Sequence, residues 1–201
     1  MALPLVRGNL ALGKCCRLCV GTIGSRKGAF MKNYIVLIGM PGVGKSTIGV
    51  ILAKVLGYQF VDADLLIQQQ EGKLLKDIIA DVGTEGFIQV ENRVNASIQA
   101  EKTIIATGGS VVYGKEAMEH LKSIGTVIYL KVSFEILQKR LADIKGRGVV
   151  LKEGQDLCAL FEERAPLYEN YADIEISEED LSVEETVEKL VEILQNLNSI
   201  S

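Results

Sequence analysis

Gly39, Met40, Pro41, Gly42, Val43, Gly44, Lys45, Ser46 and Thr47 form one uninterrupted run. Gly39, Gly44, Lys45 and Ser46 fall on the fixed letters of G-x-x-x-x-G-K-[ST]. Glycines at 39, 42 and 44 let backbone amides close around an anion that a Cβ would hold off. A lysine directly after them suits the β- and γ-phosphates of a nucleoside triphosphate, and the Ser46 hydroxyl suits a magnesium ion. The run 39–47 is therefore predicted to be a phosphate-binding loop.

Phosphoryl transfer also requires the charge on the phosphates to be neutralised and an acceptor hydroxyl to be aligned. Asp62 and Asp64 close the segment Phe60-Val61-Asp62-Ala63-Asp64. Asp62 is placed to hold the metal through water, and Asp64 to accept the proton of the acceptor hydroxyl. Gly108 and Gly109 follow another apolar run and permit a turn whose amides face a substrate. Arg147 lies between Gly146 and Gly148, as suits a closing lid that brings a guanidinium onto the transferring phosphate. Arg164 can clamp a carboxylate with its fork of donors, and Arg140 can stack on adenine. His120, in a charged segment, reads as solvated.

These residues must be positioned by something, and the apolar pattern says what. Strands are predicted at 34–38, 59–62, 103–107, 126–131 and 173–176. Helices are predicted at 45–56, 65–70, 74–81, 85–100, 115–123, 133–143, 156–170 and 183–197. Short apolar strands alternating with helices give an α/β three-layer sandwich, a five-stranded parallel sheet covered on both faces. In such a sheet ligands gather at the carboxyl ends of the strands, where the residues above fall. Ser182 and Glu185 form a capping box, and Val183, Val187, Leu190, Val191, Leu194 and Leu197 make a core-facing stripe behind it.

At 201 residues the chain accommodates one domain with a full core. Residues 1–30 carry Arg7, Lys14, Arg17, Arg26 and Lys27 with no acid, leaving 17 basic against 26 acidic residues beyond them. An acidic domain has no general attraction for nucleic acid. No run reaches the roughly 20 apolar residues that cross a bilayer. Cys15, Cys16 and Cys19 lack the second Cys/His pair of a zinc site and, with Cys158, read as free thiols in a reducing compartment. The expectation is a cytoplasmic monomer with a small-molecule acceptor. Residues 1–30 are expected to be a disordered or mis-assigned leader and 31–201 the catalytic domain.

Over residues 33–195 the chain resembles shikimate kinase. The matching pieces are the loop 39–47, the strand end at Asp62 and Asp64, Gly83 with Phe87 and Glu91, the Thr107-Gly108-Gly109 turn, the lid arginine and Arg164-Ala165-Pro166-Leu167-Tyr168. The resemblance implies a P-loop kinase of the nucleoside-monophosphate-kinase type, with an acceptor region at about 63–94 and a lid at about 144–156. It implies ATP and Mg2+, and transfer to the 3-hydroxyl of shikimate. By position, Lys45, Asp64 and Arg147 are catalytic, Ser46 and Asp62 serve the metal, Asp64 also contacts the acceptor diol, and Gly108, Gly109 and Arg164 line the acceptor. The sequence departs from the family pattern at Ile88, where an acceptor-binding arginine is expected, at Ser110 for a third glycine, and at Arg147-Gly148-Val149-Val150 for Arg-Pro-Leu-Leu. Losing one charge-assisted contact costs roughly 1.5–3 kcal/mol of acceptor binding. A kinase for another small hydroxy acid or hydroxy amino acid, such as homoserine, is the alternative. A non-catalytic nucleotide-binding module is the reading from another class, and it has no use for Asp64 or Arg147.

Overall fold

Runs that are apolar at nearly every position need cover on both faces, and a parallel sheet between helix layers supplies it. The computed structural model describes residues 34–99, 101–142, 154–179 and 181–199. The segment 1–30, Arg147 and most of the span 144–156 lie outside the described residues. Five strands form one parallel sheet: β1 Tyr34–Ile38, β2 Gln59–Asp62, β3 Thr103–Ala106, β4 Gly125–Lys131 and β5 Ile174–Ser177. Their order is β2-β3-β1-β4-β5. The chain steps from β1 to the edge strand β2, returns to place β3 beside β1, and then adds β4 and β5 on the other side, with Leu37 opposite Ala106 on one side and Ile128 on the other.

Helices α1 Lys45–Leu56, α2 Ala63–Glu71, α3 Leu75–Ala96, α4 Lys115–Ile124, α5 Phe134–Ala142, α6 Leu157–Tyr171 and α7 Val183–Ser199 connect and cover the strands. Helix α1 contacts α7, and α3 contacts α4. The main core joins Val36, Leu37, Ile104, Ile105, Val127 and Ile128 to Ile48 and Leu52 of α1, Met118 and Leu121 of α4, and Leu190 of α7. A smaller cluster of Ile67, Ile78, Phe87 and Val94 holds α2 against α3. The α2–α3 pair thus has apolar support of its own.

The strand and helix positions follow the sequence pattern, with local differences. Helix α2 starts at Ala63, two residues before expectation, because the Asp62 carboxylate accepts from the Asp64 and Leu65 amides and caps it. The helices expected over 74–81 and 85–100 both form within Leu75–Ala96, separated as expected by a kink at Gly83, whose φ 69°, ψ 179° is not helical. Helix α3 stops at Ala96, where both the amide and hydroxyl of Ser97 turn back to the Val94 carbonyl. His120 is half-buried between helices and bonds the Ile98 carbonyl oxygen at 2.8 Å, so the expectation of a solvated ring is corrected by the α3–α4 contact. Among the described residues, no helix is long and apolar enough to cross a membrane.

The capping box forms as read. The Ser182 amide donates to Glu185 at 2.8 Å, and the Glu185 amide donates to the Ser182 hydroxyl at 3.2 Å. Ser182→Ala leaves an amide at the start of α7 without its acceptor and should cost about 1 kcal/mol. Urea unfolding should show a lower midpoint with an unchanged slope. An unchanged midpoint would mean that water replaces the cap at no cost.

Candidate active site

The strand order reverses at β1, and its carboxyl end opens a crevice between the loops that leave in opposite directions. The loop after β1 fills that position. Gly39, Gly42 and Gly44 have φ of 146°, 82° and 100°, values that L side chains rarely adopt. A Cβ on Gly39 would also stand 2.7 Å from the Leu130 carbonyl oxygen on β4. Gly44 begins α1 with no side-chain cap, and the first turn of α1 holds no acid. The amides and positive dipole end of α1 therefore point at the loop uncompensated by any side chain, which suits an anion.

Lys45 starts α1 and folds back, donating to the carbonyls of Gly39 and Met40 at 2.8 and 2.9 Å. Burial lowers its pKa to about 8, against the opposing pull of Asp64. The Ser46 hydroxyl donates to Asp62 at 2.7 Å, while the other Asp62 oxygen caps α2. One carboxylate thus joins the start of α1 to the end of β2 and sets a hydroxyl and a carboxylate side by side. This oxygen pair fits Mg2+, which takes one or two protein oxygens and completes its shell with phosphate and water. Among the described residues there is no cluster of three or more His, Cys, Asp or Glu that could hold a metal by itself.

The turn after β3 forms the facing wall. Thr107 fastens it to β1 by donating to the Leu37 carbonyl through both its amide and its hydroxyl. A side chain on Gly108 would collide with Glu91 Oε1 and reach Asp64 Oδ1 at 2.9 Å. A side chain on Gly109 would meet Pro41 and stand 3.2 Å from an Arg164 nitrogen. Arg164 is only 1% exposed. Its Nε donates to the Tyr113 hydroxyl at 3.2 Å, and its guanidinium carbon lies 5.1 Å from the Tyr113 ring centre. Tyr168 donates to the Gly109 carbonyl at 2.5 Å and stacks on Tyr129. The arginine is thereby held on a buried aromatic frame.

Together these walls enclose a cavity of about 510 Å³ whose lining includes Lys45, Ser46, Asp62, Asp64, Gly108, Gly109 and Arg164. Those sequence-predicted residues are brought together. Ile88 is not: it is half-buried and absent from the lining, while Phe87 and Glu91, one turn apart on α3, face the cavity. Arg140 stands at the flank of the loop, donating to the Val43 carbonyl at 3.1 Å and pairing with Glu178 at 2.8 Å. Arg147 lies outside the described residues.

Sequence reasoning assigned no role to Lys76, Tyr113, Ser110 or Glu91. Lys76, Ser110 and Glu91 line the cavity with the apolar Leu74, Leu75 and Ile79. A signal for Glu91 was available. It sits on the same helical stripe as Phe87, Val94 and Asn95, all buried, and an acid within a buried stripe is rarely structural filler. Glu91 is 1% exposed. Burial pushes its pKa up to about 7; Ser110, Arg164 and Lys45 lower it and Asp64 raises it further. No donor reaches hydrogen-bonding geometry at either oxygen, so Ser110 acts on it only as a nearby dipole.

The family profile described as shikimate kinase matches residues 41–195. Shikimate kinase of Thermodesulfovibrio yellowstonii is 36% identical over 172 residues, covering 84% of this chain and 98% of its own. Shikimate kinase of Trichormus variabilis is 38% identical over 170 residues, covering 83% and 91%. Among solved structures, shikimate kinase from Acinetobacter baumannii in complex with shikimate superposes with a TM-score of 0.74 at 29% identity, covering 83% of this chain and 94% of that one.

The Glu91 carboxyl makes a pH-dependent contribution to stability. Its folded pKa of about 7 lies above the ordinary value of 4.5, so the folded chain holds a proton that the unfolded chain has released. That contribution is complete below about pH 4.5 and is lost as pH rises through about 7. The span corresponds to about 3 kcal/mol. Glu91→Gln stays neutral throughout, so its stability should gain on the wild type progressively between those pH values in paired melts. A difference that stays constant with pH would show that the carboxyl is solvated in the folded state.

Proposed function

The chain belongs to the shikimate kinase family, and from that premise we propose that it transfers the γ-phosphoryl group of ATP to the 3-hydroxyl of shikimate. The observation that carries this reading is the shared cavity. It sets a phosphate loop with its lysine, a carboxylate at the end of β2 and a buried arginine around one space. A small acid bearing a hydroxyl fits between Arg164 and Asp64 with the hydroxyl turned toward the loop.

Each residue then has a stated task. The loop amides of 39–47 and the start of α1 hold the phosphates. Lys45, freed from the Gly39 and Met40 carbonyls, moves its ammonium onto the β- and γ-phosphates, whose negative charge raises its pKa again. Ser46 and Asp62 would hold Mg2+, which when bound neutralises charge that develops on the phosphate oxygens. Asp64 accepts the proton of the attacking hydroxyl. Arg164, its rotamer fixed by Tyr113, grips the acceptor carboxylate. Arg140 flanks the base, and Arg147 completes the site when the lid closes. We place this activity in the cytoplasm, carried by a monomer, for which sedimentation at working concentration is the check.

A coupled ADP-release assay over shikimate, homoserine and other hydroxylated acids tests the reading. Shikimate should give the highest kcat/KM. Lys45→Ala should abolish transfer without unfolding the chain. Asp64→Asn should lower kcat about 10²-fold with little change in the KM for ATP. Arg164→Lys keeps the charge but loses the fork, and should raise the acceptor KM about tenfold or more. Arg147→Ala should lower kcat more than it raises that KM. A preference for homoserine over shikimate would replace the acceptor assignment, and normal turnover in Asp64→Asn would remove that residue from the mechanism.

A further inference from the structure

Among the described residues that line the cavity, three carry a positive charge: Lys45, Lys76 and Arg164. Two of them are engaged. Lys45 donates to the carbonyls of Gly39 and Met40, and Arg164 gives its Nε to Tyr113. Lys76 has no hydrogen bond or ion pair among the described residues. Its own helix supplies none. Asp81 holds Lys73, and the positions three and four residues from Lys76 are Gly72, Lys73, Ile79 and Ala80, none of them an acid.

The position is also one that stability alone disfavours. Lys76 stands in the first turn of α3, where the positive end of the helix dipole repels a cation. It is exposed, and its neighbours Leu75 and Ile79 turn apolar surface to the same cavity. A cation held there against that repulsion suits an anion that arrives in the cavity.

The other charges decide which anion. Lys45 is committed to the phosphates in the reading above. Asp62 and Asp64 repel a further anion from the end of β2, and Glu91 does so as it ionises. Past Gly83, α3 turns only Phe87 and Glu91 to the space, one apolar and one acidic. The remaining positive groups are Arg164, beside the Gly109 turn, and Lys76. A carboxylate offers about four lone-pair sites, and an arginine fork engages two of them. We propose that Lys76 donates to the acceptor carboxylate alongside Arg164, so that cations from two separate elements select an acid over a neutral polyol. Its flexible four-carbon stem lets the ammonium swing in from solvent when the acid binds. The inference rests on the acceptor reading above and adds a specificity residue to it.

The test pairs shikimate with its carboxamide, which keeps the hydroxyls and loses the charge. Both are assayed on the wild type, Lys76→Ala, Lys76→Glu and Lys76→Arg, with thermal melts as the check on folding. Lys76→Ala and Lys76→Glu should melt no lower than the wild type, since each removes a cation from the positive end of α3. On shikimate, Lys76→Ala should raise the acceptor KM about fivefold, the upper end for an exposed ion pair, and Lys76→Glu should raise it further. The kcat and the KM for ATP should change less than about twofold, as for a contact made equally before and during transfer. Lys76→Arg should stay within about twofold of the wild type, since it keeps the charge. On the carboxamide the wild type should already carry the penalty, and Lys76→Ala should add less than about twofold. Equal losses on acid and amide would overturn the proposal in favour of a contact with the hydroxyls or the ring. A raised KM for ATP would overturn it in favour of phosphate binding. An unchanged acceptor KM in Lys76→Ala and Lys76→Glu would overturn it in favour of a lysine that stays in solvent. Preference of the wild type for a neutral polyol would overturn both this proposal and the acceptor assignment. Preference for another hydroxylated acid would overturn the acceptor assignment alone, and that acid with its own amide then decides for Lys76.

Discussion

The placement of β1 at the reversal of strand order governs the site. A central parallel strand with neighbours on both sides directs its following loop into a crevice that other loops cannot close. The loop 39–47 sits there, braced by Lys45 of α1 and Arg140 of α5 at its carbonyls, and the adjacent strand ends bring their residues to it. Asp62 at the end of β2 reaches Ser46, and Thr107 at the end of β3 reaches back to Leu37. These bonds tie the donor side and the acceptor side to one rigid frame. Relative placement of lysine, carboxylate and arginine is then a property of the sheet, and catalysis by positioning requires that rigidity.

The electrostatic arrangement follows from the same crowding. Burial favours the neutral form of both a lysine and a carboxyl, and the shifts of Lys45 downward and Glu91 upward have this one cause. Each charge also supports its opposite: Asp64 and Glu91 hold up Lys45, while Lys45 and Arg164 hold down Glu91. Tyr168, also buried and shifted upward, stays a phenol and serves as a donor to Gly109. The site thus holds opposite charges that partly offset the cost of burying each other.

Much of this was legible in the residues because the signals were local. The phosphate loop is specified by steric needs at consecutive positions, and the capping box by two side chains three apart. Asp64 was legible through its place after an apolar run, and Arg164 through the segment Arg164-Ala165-Pro166-Leu167-Tyr168 that resembles the family pattern. Glu91 was harder, since its meaning depends on a helix face, on Gly108 from another strand and on Ile88 offering no partner. Tyr113 and Tyr168 were less visible still, because holding Arg164 and Gly109 is a task defined only by three-dimensional neighbours. The break between the two expected helices falls at Gly83, whose backbone conformation is not helical.

That interruption divides the cavity-lining residues of α3 into two groups. Leu75, Lys76 and Ile79 stand before Gly83, and Phe87 and Glu91 stand after it. Gly83 takes a conformation unlike either flank and has open space where a Cβ would be, while the second part is tied to α4 through Asn92. Descendants of this chain could therefore vary one wall of the cavity at Leu75, Lys76 and Ile79 while inheriting Phe87 and Glu91 in place.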